Sequence, residues 1–246
     1  MLSKELATID INMNIDFNLD EMKLDNLSFK TILEKLHDLD IFTFDKILTG
    51  NEEINQYDNQ SIHKNYKTIN NFSEINLLIN KIKNKDVVSI DLETTDINPS
   101  IANIVGISIS YAKDSGYYIP ILSPDKNKCF DLEKILKKLK PVFQSESINF
   151  IGQNIKYDAY ILKRNNVELN CIYFDTMIAE SLISPDKNSY KLDYLSKDYL
   201  NYKMIPIEKL IGKGKDQISM EDVPLEDISY YACEDADIVL QIYEIQ

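Results

Sequence analysis

Val87-Val88-Ser89-Ile90-Asp91-Leu92-Glu93-Thr94-Thr95 is the stretch whose reading decides the fold. It is an apolar run that ends abruptly in two acids spaced i, i+2. Alternate side chains of a strand share a face, so Asp91 and Glu93 point the same way if the strand persists to its end. Two carboxylates on one face repel each other. They are tolerated where water solvates them, as in an acidic surface turn, or where a divalent cation sits between them. The stretch alone leaves both readings open.

Working outward, Tyr66-Lys67-Thr68-Ile69 reads as a short strand. Glu74 to Lys83 reads as a helix with Ser73 as its N-cap and Ile75, Leu78, Ile79 and Ile82 on one face. Downstream, residues 103–111 and 116–121 read as a hairpin turning at Lys113-Asp114-Ser115. Residues 132–139 read as a helix that ends at Pro141. Residues 147–151 form another apolar strand. Helical patterns follow over 157–163, 175–183, 192–200 and 225–245. Strands first, with helices interleaved and then dominant, predict an α/β domain with a mixed central sheet flanked by helices. Residues 1–64 differ. They are acidic and Asn-rich, and Leu27, Phe29, Ile32, Leu33, Leu36 and Leu39 predict one amphipathic helix capped by Asn26 or Ser28. Residues 51–60 read as a linker. The division expected is therefore an extension or linker over 1–64 and a main domain over 65–246.

The chain has 246 residues and 44% hydrophobic content, enough for a proper core. No stretch approaches the ~20 apolar residues of a membrane span, and no secretory signal opens the chain. Cys129, Cys171 and Cys233 are far apart and form no CxxC, so they read as reduced thiols in an intracellular protein. His37 and His63 are the two histidines. That argues against a histidine-based zinc site or a Ser-His triad and leaves the chemistry to carboxylates and tyrosine, with or without metal. A net charge of −13 argues against a protein that coats nucleic acid generally. It does not exclude an enzyme that holds nucleic acid locally, because acids that bind cations are neutralised in the working site.

Two further acids stand in unusual settings. Asp158 lies in Gly152-Gln153-Asn154-Ile155-Lys156-Tyr157-Asp158, just after an apolar strand and inside the first turns of a helix. Asp235 lies mid-helix in Tyr231-Ala232-Cys233-Glu234-Asp235-Ala236-Asp237, where Asp is a poor helix former. Tyr231, at i−4, shares its helical face. Each acid alone reads as a solvated surface residue. The set is more specific than its parts.

Together these segments resemble the three motifs of the DEDD 3′–5′ exonucleases, and a tyrosine four residues before the last acid marks the Tyr subclass. The similarity is to the proofreading domain of polymerase I-type (family A) DNA polymerases. It extends through residues 102–108, Tyr117-Tyr118-Ile119-Pro120, Phe174-Asp175-Thr176-Met177 and Ile211-Gly212-Lys213-Gly214-Lys215, from about Tyr66 to the C-terminus. The resemblance implies a ribonuclease H-like 3′–5′ exonuclease fold and two divalent metal ions, Mg²⁺ or Mn²⁺. Asp91 is expected to bridge both ions, Glu93 and Asp235 to hold the first, and Asp158 to reach the second through water. Carboxylates suit such hard cations, and two of them can stabilise both oxygens of a phosphoryl displacement. Tyr231, whose ordinary pKa is near 10, is expected to orient a water rather than act as a base.

The substrate implied is a single-stranded 3′ end of DNA, with mismatched termini favoured because they fray at lower cost. Thr94, Ile97, Asn154 and Tyr157 fall where the family lines its cleft. Ile207 stands where the bacterial pattern often has a stacking aromatic, so weaker holding of the strand is expected. Lys213 and Lys215 read either as phosphate contacts or as a solvated turn. A DNA polymerase domain is the partner implied. The setting is a bacterial cytoplasm or, given the Asn-, Ile- and Lys-rich bias, an apicoplast-type organelle. The alternatives are a ribonuclease D-like RNA exonuclease with the same chemistry and a non-catalytic module that positions DNA.

Overall fold

The computed structural model describes residues 64–246 without interruption and, ahead of them, residues 7–9, 18, 28–37 and 44. The chain divides into two units, Met1–Gln56 and Tyr57–Gln246. In the first, Phe29–His37 is helix α1. Leu33 is buried, and Ser28 Oγ accepts from the Thr31 N–H, which selects Ser28 over Asn26 as the cap. The expected linker at 51–60 lies outside the described residues.

The second unit is built on a six-stranded sheet in the order β1-β4-β3-β2-β5-β6. The strands are β1 (Asn65–Thr68), β2 (Val87–Thr94), β3 (Ile104–Ser110), β4 (Ser115–Pro120), β5 (Asn149–Gly152) and β6 (Ile172–Asp175). β2, β3 and β4 pair antiparallel, whereas β1–β4, β2–β5 and β5–β6 pair parallel, so the mixed sheet is as expected. The long helices are α2 (Phe72–Ile82), α3 (Leu132–Phe143), α4 (Lys156–Arg164), α5 (Thr176–Ile183) and α6 (Leu192–Leu200). A short turn, α7 (Glu208–Ile211), precedes the 19-residue α8 (Leu225–Tyr243).

The period-2 pattern of β2 sorts its side chains between two layers. Val88, Ile90 and Leu92 join the large core cluster with Ile75, Leu78 and Ile82 of α2, Leu139 and Phe143 of α3, and Ile161 and Leu162 of α4. Ser89, Asp91 and Glu93 alternate with them and so face the opposite layer. That layer is α8, whose Leu225, Ile228, Ala232 and Cys233 pack on Val105 and Tyr118. The approach is close because Gly116 lacks a side chain. A Cβ there would stand 2.6 Å from Cys233 Cβ. Ala232 and Ala236, both fully buried, keep the helix low on the sheet.

Three local expectations need correction, and one strand, β6, was not expected. The N-cap of α2 is Asn71, not Ser73. Asn71 Oδ1 accepts from the Glu74 N–H at 3.0 Å, and Glu74 returns the favour to the Asn70 N–H at 2.9 Å. Helix α3 runs through Pro141 to Phe143. Proline forfeits one hydrogen bond in the last turn, and burial of Val142 and Phe143 outweighs that loss. Asp175 is the N-cap of α5 rather than its first residue. Strand β6 carried no alternating apolar signal, since Ile172 and Tyr173 are both exposed. Its pairing with β5 makes it a strand.

Candidate active site

Asp91 and Glu93 project from the C-terminal half of β2 toward α8, and Asp235 descends from α8 to meet them. One carboxylate oxygen from each of the three lies within 4.8 Å of the others. Glu93 is buried, while Asp91 and Asp235 are partly buried. At that spacing each ionised pair repels by roughly 3 kcal/mol at an effective dielectric of 20. Glu93 Oε1 has no hydrogen-bond partner. An unpartnered buried oxygen on a carboxylate that also meets two other acids is a cost unless a cation offsets it.

The protonation behaviour agrees. Burial pushes Asp91 up to about 6. Burial, then the charges of Asp91 and Asp158, raise Glu93 well above the ordinary range. Burial, then Asp91 and Glu93, do the same to Asp235. Burial and mutual repulsion both hold these hard oxygen donors back from ionising, and a divalent cation would offset both.

Asp158 stands one step outside the trio. Strand β5 ends at Gly152, so the Leu92 N–H lies beyond the paired register of β2 and β5. Asp158 Oδ1 accepts it at 3.2 Å. Burial and the Asp91 charge raise the Asp158 carboxyl. Tyr231 lies over the cluster, its hydroxyl against the Asp235 carboxylate. Burial, then Asp235, Glu93 and Asp91, hold its pKa far above the ordinary value, so the phenol stays neutral and donates.

Beside these groups opens a cleft of about 540 Å³. Glu93 forms part of its floor, and all five residues expected to touch substrate line it: Thr94, Ile97, Asn154, Tyr157 and Ile207. Ile97, which also lines the cleft, is 94% exposed. Thr94 Oγ1 and the Tyr157 hydroxyl lie 2.7 Å apart, and Tyr157 also donates to the Asp96 carbonyl. Between β2 and β3 the register jumps by one: Glu93 pairs with Gly106 and Thr94 with Ile104, leaving Val105 as a bulge. The bulge bends the strand where its acids end and its cleft residues begin. Lys213 and Lys215 are exposed outside the cleft, with Lys213 3.8 Å from Glu208.

Two features escaped sequence reasoning. The far wall of the cleft is Ile211 and residues 217–220, which bear no local mark of that role. Asp175 was noted only for its segment. Its Oδ1 accepts from the N–H groups of Asn154 and Met177, both at 3.0 Å, and its Oδ2 from the Ile155 N–H at 3.0 Å. It thereby fixes the turn, with Asn154 at φ +58, that launches α4 and Asp158. An acid just before a helical pattern announces the cap. Its reach back to residue 154 is visible only in three dimensions.

A family model described as 3′–5′ exonuclease matches residues 66–245. The chain belongs to the 3′–5′ exonuclease family. The exonuclease is 38% identical over 197 residues to DNA polymerase I of Borreliella burgdorferi, covering 79% of this chain and 20% of that relative. Against DNA polymerase I of Pseudomonas aeruginosa it is 23% identical over 255 residues, covering 99% of this chain and 28% of the relative. The second alignment reaches ahead of residue 66, where the sequence offered no resemblance. The exonuclease thus spans 20% and 28% of the length of these two relatives. Among solved structures, Escherichia coli RNase D superposes with a TM-score of 0.56 at 15% identity, covering 74% of this chain and 44% of that one. The catalytic core of RRP6 from Trypanosoma brucei gives 0.54 at 16%, covering 74% and 48%. These likenesses establish the ribonuclease H-like fold. The exonuclease family implies divalent metal use, and the acidic trio fits it. Among the described residues no helix is long and apolar enough to cross a membrane.

Proposed function

We propose that this chain is a proofreading module of a DNA polymerase I-type enzyme. It would remove mismatched nucleotides from a single-stranded 3′ end of DNA, with residues 65–246 forming the catalytic domain and 1–64 an extension or linker. The observation that carries this reading is the convergence of Asp91 and Asp235 on Glu93, which itself lines a cleft shared with Thr94, Ile97, Asn154, Tyr157 and Ile207. Asp91, Glu93, Asp158 and Asp235 would hold two Mg²⁺ or Mn²⁺ ions, which supply charge neutralisation for an in-line phosphodiester hydrolysis.

The remaining roles belong to the side chains. Ile97 wedges against the terminal base, while Asn154, Thr94 and Tyr157 seat the 3′ nucleotide. Tyr231 and Glu93 orient the attacking water, Tyr231 as a neutral donor, which is the behaviour of the Tyr subclass. Ile207 offers an apolar but non-stacking wall, so Ile207→Phe should tighten oligo(dT) binding by ~1–3 kcal/mol in a fluorescence titration.

The likeness to RNase D rests on fold alone, so DNA is preferred over RNA. The named relatives are bacterial, which supports a bacterial cytoplasm over an apicoplast. A 5′-labelled mismatched primer incubated with Mg²⁺ tests the whole reading. The wild type should shorten it stepwise from the 3′ end, and the double variant Asp91→Asn/Glu93→Gln should not. Faster loss of a matched RNA oligonucleotide would transfer the reading to RNA, and no metal-dependent loss of either would leave a positioning module.

A further inference from the structure

Glu234 precedes Asp235 on α8 and stands outside the acidic trio. Successive helix residues lie about 100° apart, so the two carboxylates leave α8 in different directions. Asp235 turns to β2. Glu234 shares its face with Ile238, four residues on, which clusters with Leu195 of α6 and with Met204. There Glu234 is 1% exposed, and both of its oxygens are taken. Oε1 accepts the Tyr202 hydroxyl at 2.7 Å, and Oε2 accepts the Ile205 N–H at 2.8 Å.

Both partners belong to the connection between α6 and α7. Residues 201–206 form neither helix nor strand. The Tyr202 carbonyl accepts Ser196 Oγ at 3.0 Å, which ties the start of the connection to α6. The chain then turns at Pro206, whose carbonyl accepts the Lys209 N–H at 2.9 Å, and enters α7. Ile207 and Ile211 of that turn line the cleft. The Ile211 carbonyl accepts the Ile218 N–H at 2.9 Å and so brings residues 217–220 to the same wall. The wall opposite the strand β2 residues therefore hangs from the loop that Glu234 holds. A buried carboxylate carries a desolvation cost that an aliphatic side chain would not. What it adds is direction, because two hydrogen bonds from one side chain fix the loop's height on the helix. We propose that Glu234 is a positioning residue for the substrate cleft, holding the wall of Ile207 and Ile211 in register with the acidic trio that its neighbour Asp235 joins. The role rests on the nuclease reading of that cleft.

Steady-state shortening of oligo(dT) with Mg²⁺ tests it. Glu234→Ala should raise KM about tenfold and lower kcat by no more than about threefold. Mn²⁺ binding, measured by calorimetry without DNA, should be unchanged. Glu234→Gln should restore KM, since its amide carbonyl can accept the Ile205 N–H while its amide N–H donates to the Tyr202 oxygen. Tyr202→Phe removes one of the two bonds and should raise KM by less than Glu234→Ala does. Hydrogen exchange at the Ile205 amide, followed by NMR, should speed up in Glu234→Ala and not in Glu234→Gln. An unchanged KM in Glu234→Ala, or a Glu234→Gln variant no better than it, overturns the assignment. So does a loss of Mn²⁺ binding, or a fall in kcat that matches the rise in KM, either of which would put Glu234 in the cation site. Should Glu234→Ala not fold, Tyr202→Phe decides, and an unchanged KM there overturns the role. A wild type that neither shortens nor binds the oligonucleotide defeats the nuclease reading itself, whereas an active wild type with a silent Glu234→Ala defeats this role alone.

Discussion

Asp91 has the most to lose from substitution and the clearest sign. Its carboxyl sits near pKa 6 against an ordinary value of 3.8, because burial disfavours the charge. An acid that binds its proton more tightly when folded stabilises the fold fully below the unfolded value. That contribution is lost as pH rises through about 6. Asp91→Asn should therefore raise the metal-free Tm at pH 8, by an amount equivalent to at most about 3 kcal/mol, while leaving it nearly unchanged at pH 4. The same substitution should lower primer shortening by on the order of 10³-fold, since it strips a charge from the cation site. Differential scanning fluorimetry and the labelled-primer assay read the two effects independently. Tyr231 makes a contrasting case. Its phenol is held neutral, so Tyr231→Phe should slow turnover about 10–100-fold through loss of orientation. The rate profile between pH 7 and 9.5 should keep its shape. A limb present in the wild type and missing in the variant would make Tyr231 a base and defeat that role. The sequence singles out the acids because they sit in improbable settings, paired at a strand end or in mid-helix, and Tyr231 because it shares the helical face of Asp235.

Elements were legible where their pattern was local. The period of 2 in β2 and the period of 3.6 in α2 and α8 come straight from alternation of apolar residues. Misreadings arose where a distant partner outvoted a local rule. Pro141 would stop an isolated helix, yet two fully buried residues behind it keep α3 going. β6 has no pattern of its own and is a strand because β5 offers a parallel edge. Asp175 belongs to the same class. It joins three elements through hydrogen bonds to the backbone of the α4 turn and of α5. Asp175→Ala leaves those N–H groups unsatisfied and should cost about 2–4 kcal/mol in urea unfolding. Because Asn154 and Tyr157 ride on that turn, KM for a single-stranded oligonucleotide should rise more than kcat falls. A change confined to stability would assign Asp175 to folding alone.

At the scale of the molecule, one helix separates two acidic networks that are balanced differently. On one flank of α8, over β2, Asp235 meets Asp91 and Glu93, and among the described residues no basic side chain offsets their charge. Metal should therefore stabilise the fold, by ~2.7 kcal/mol at a hundred times the Kd, with a larger Tm gain from Mg²⁺ or Mn²⁺ at pH 8 than at pH 5. Equal gains at both pH values would detach metal binding from this cluster. On its other flank, toward β1 and the β3–β4 turn, Asp237 is fully buried and fully partnered. Lys64 Nζ lies 2.9 Å from Oδ2, the Tyr66 hydroxyl donates to the same oxygen at 2.7 Å, and Oδ1 takes the Asp114 N–H and Gln241. Lys64 also lies 3.0 Å from Asp114, and its ammonium sits 4.9 Å over the Tyr202 ring. That arrangement has a practical meaning for anyone wishing to excise the nuclease. The family match opens at residue 66, two residues too late. A truncation there discards Lys64 and strands a carboxylate in the interior, a loss of about 3–5 kcal/mol. The same excision begun a few residues earlier keeps the ammonium, so the smallest well-behaved fragment is set by a counter-ion and not by where the homology starts.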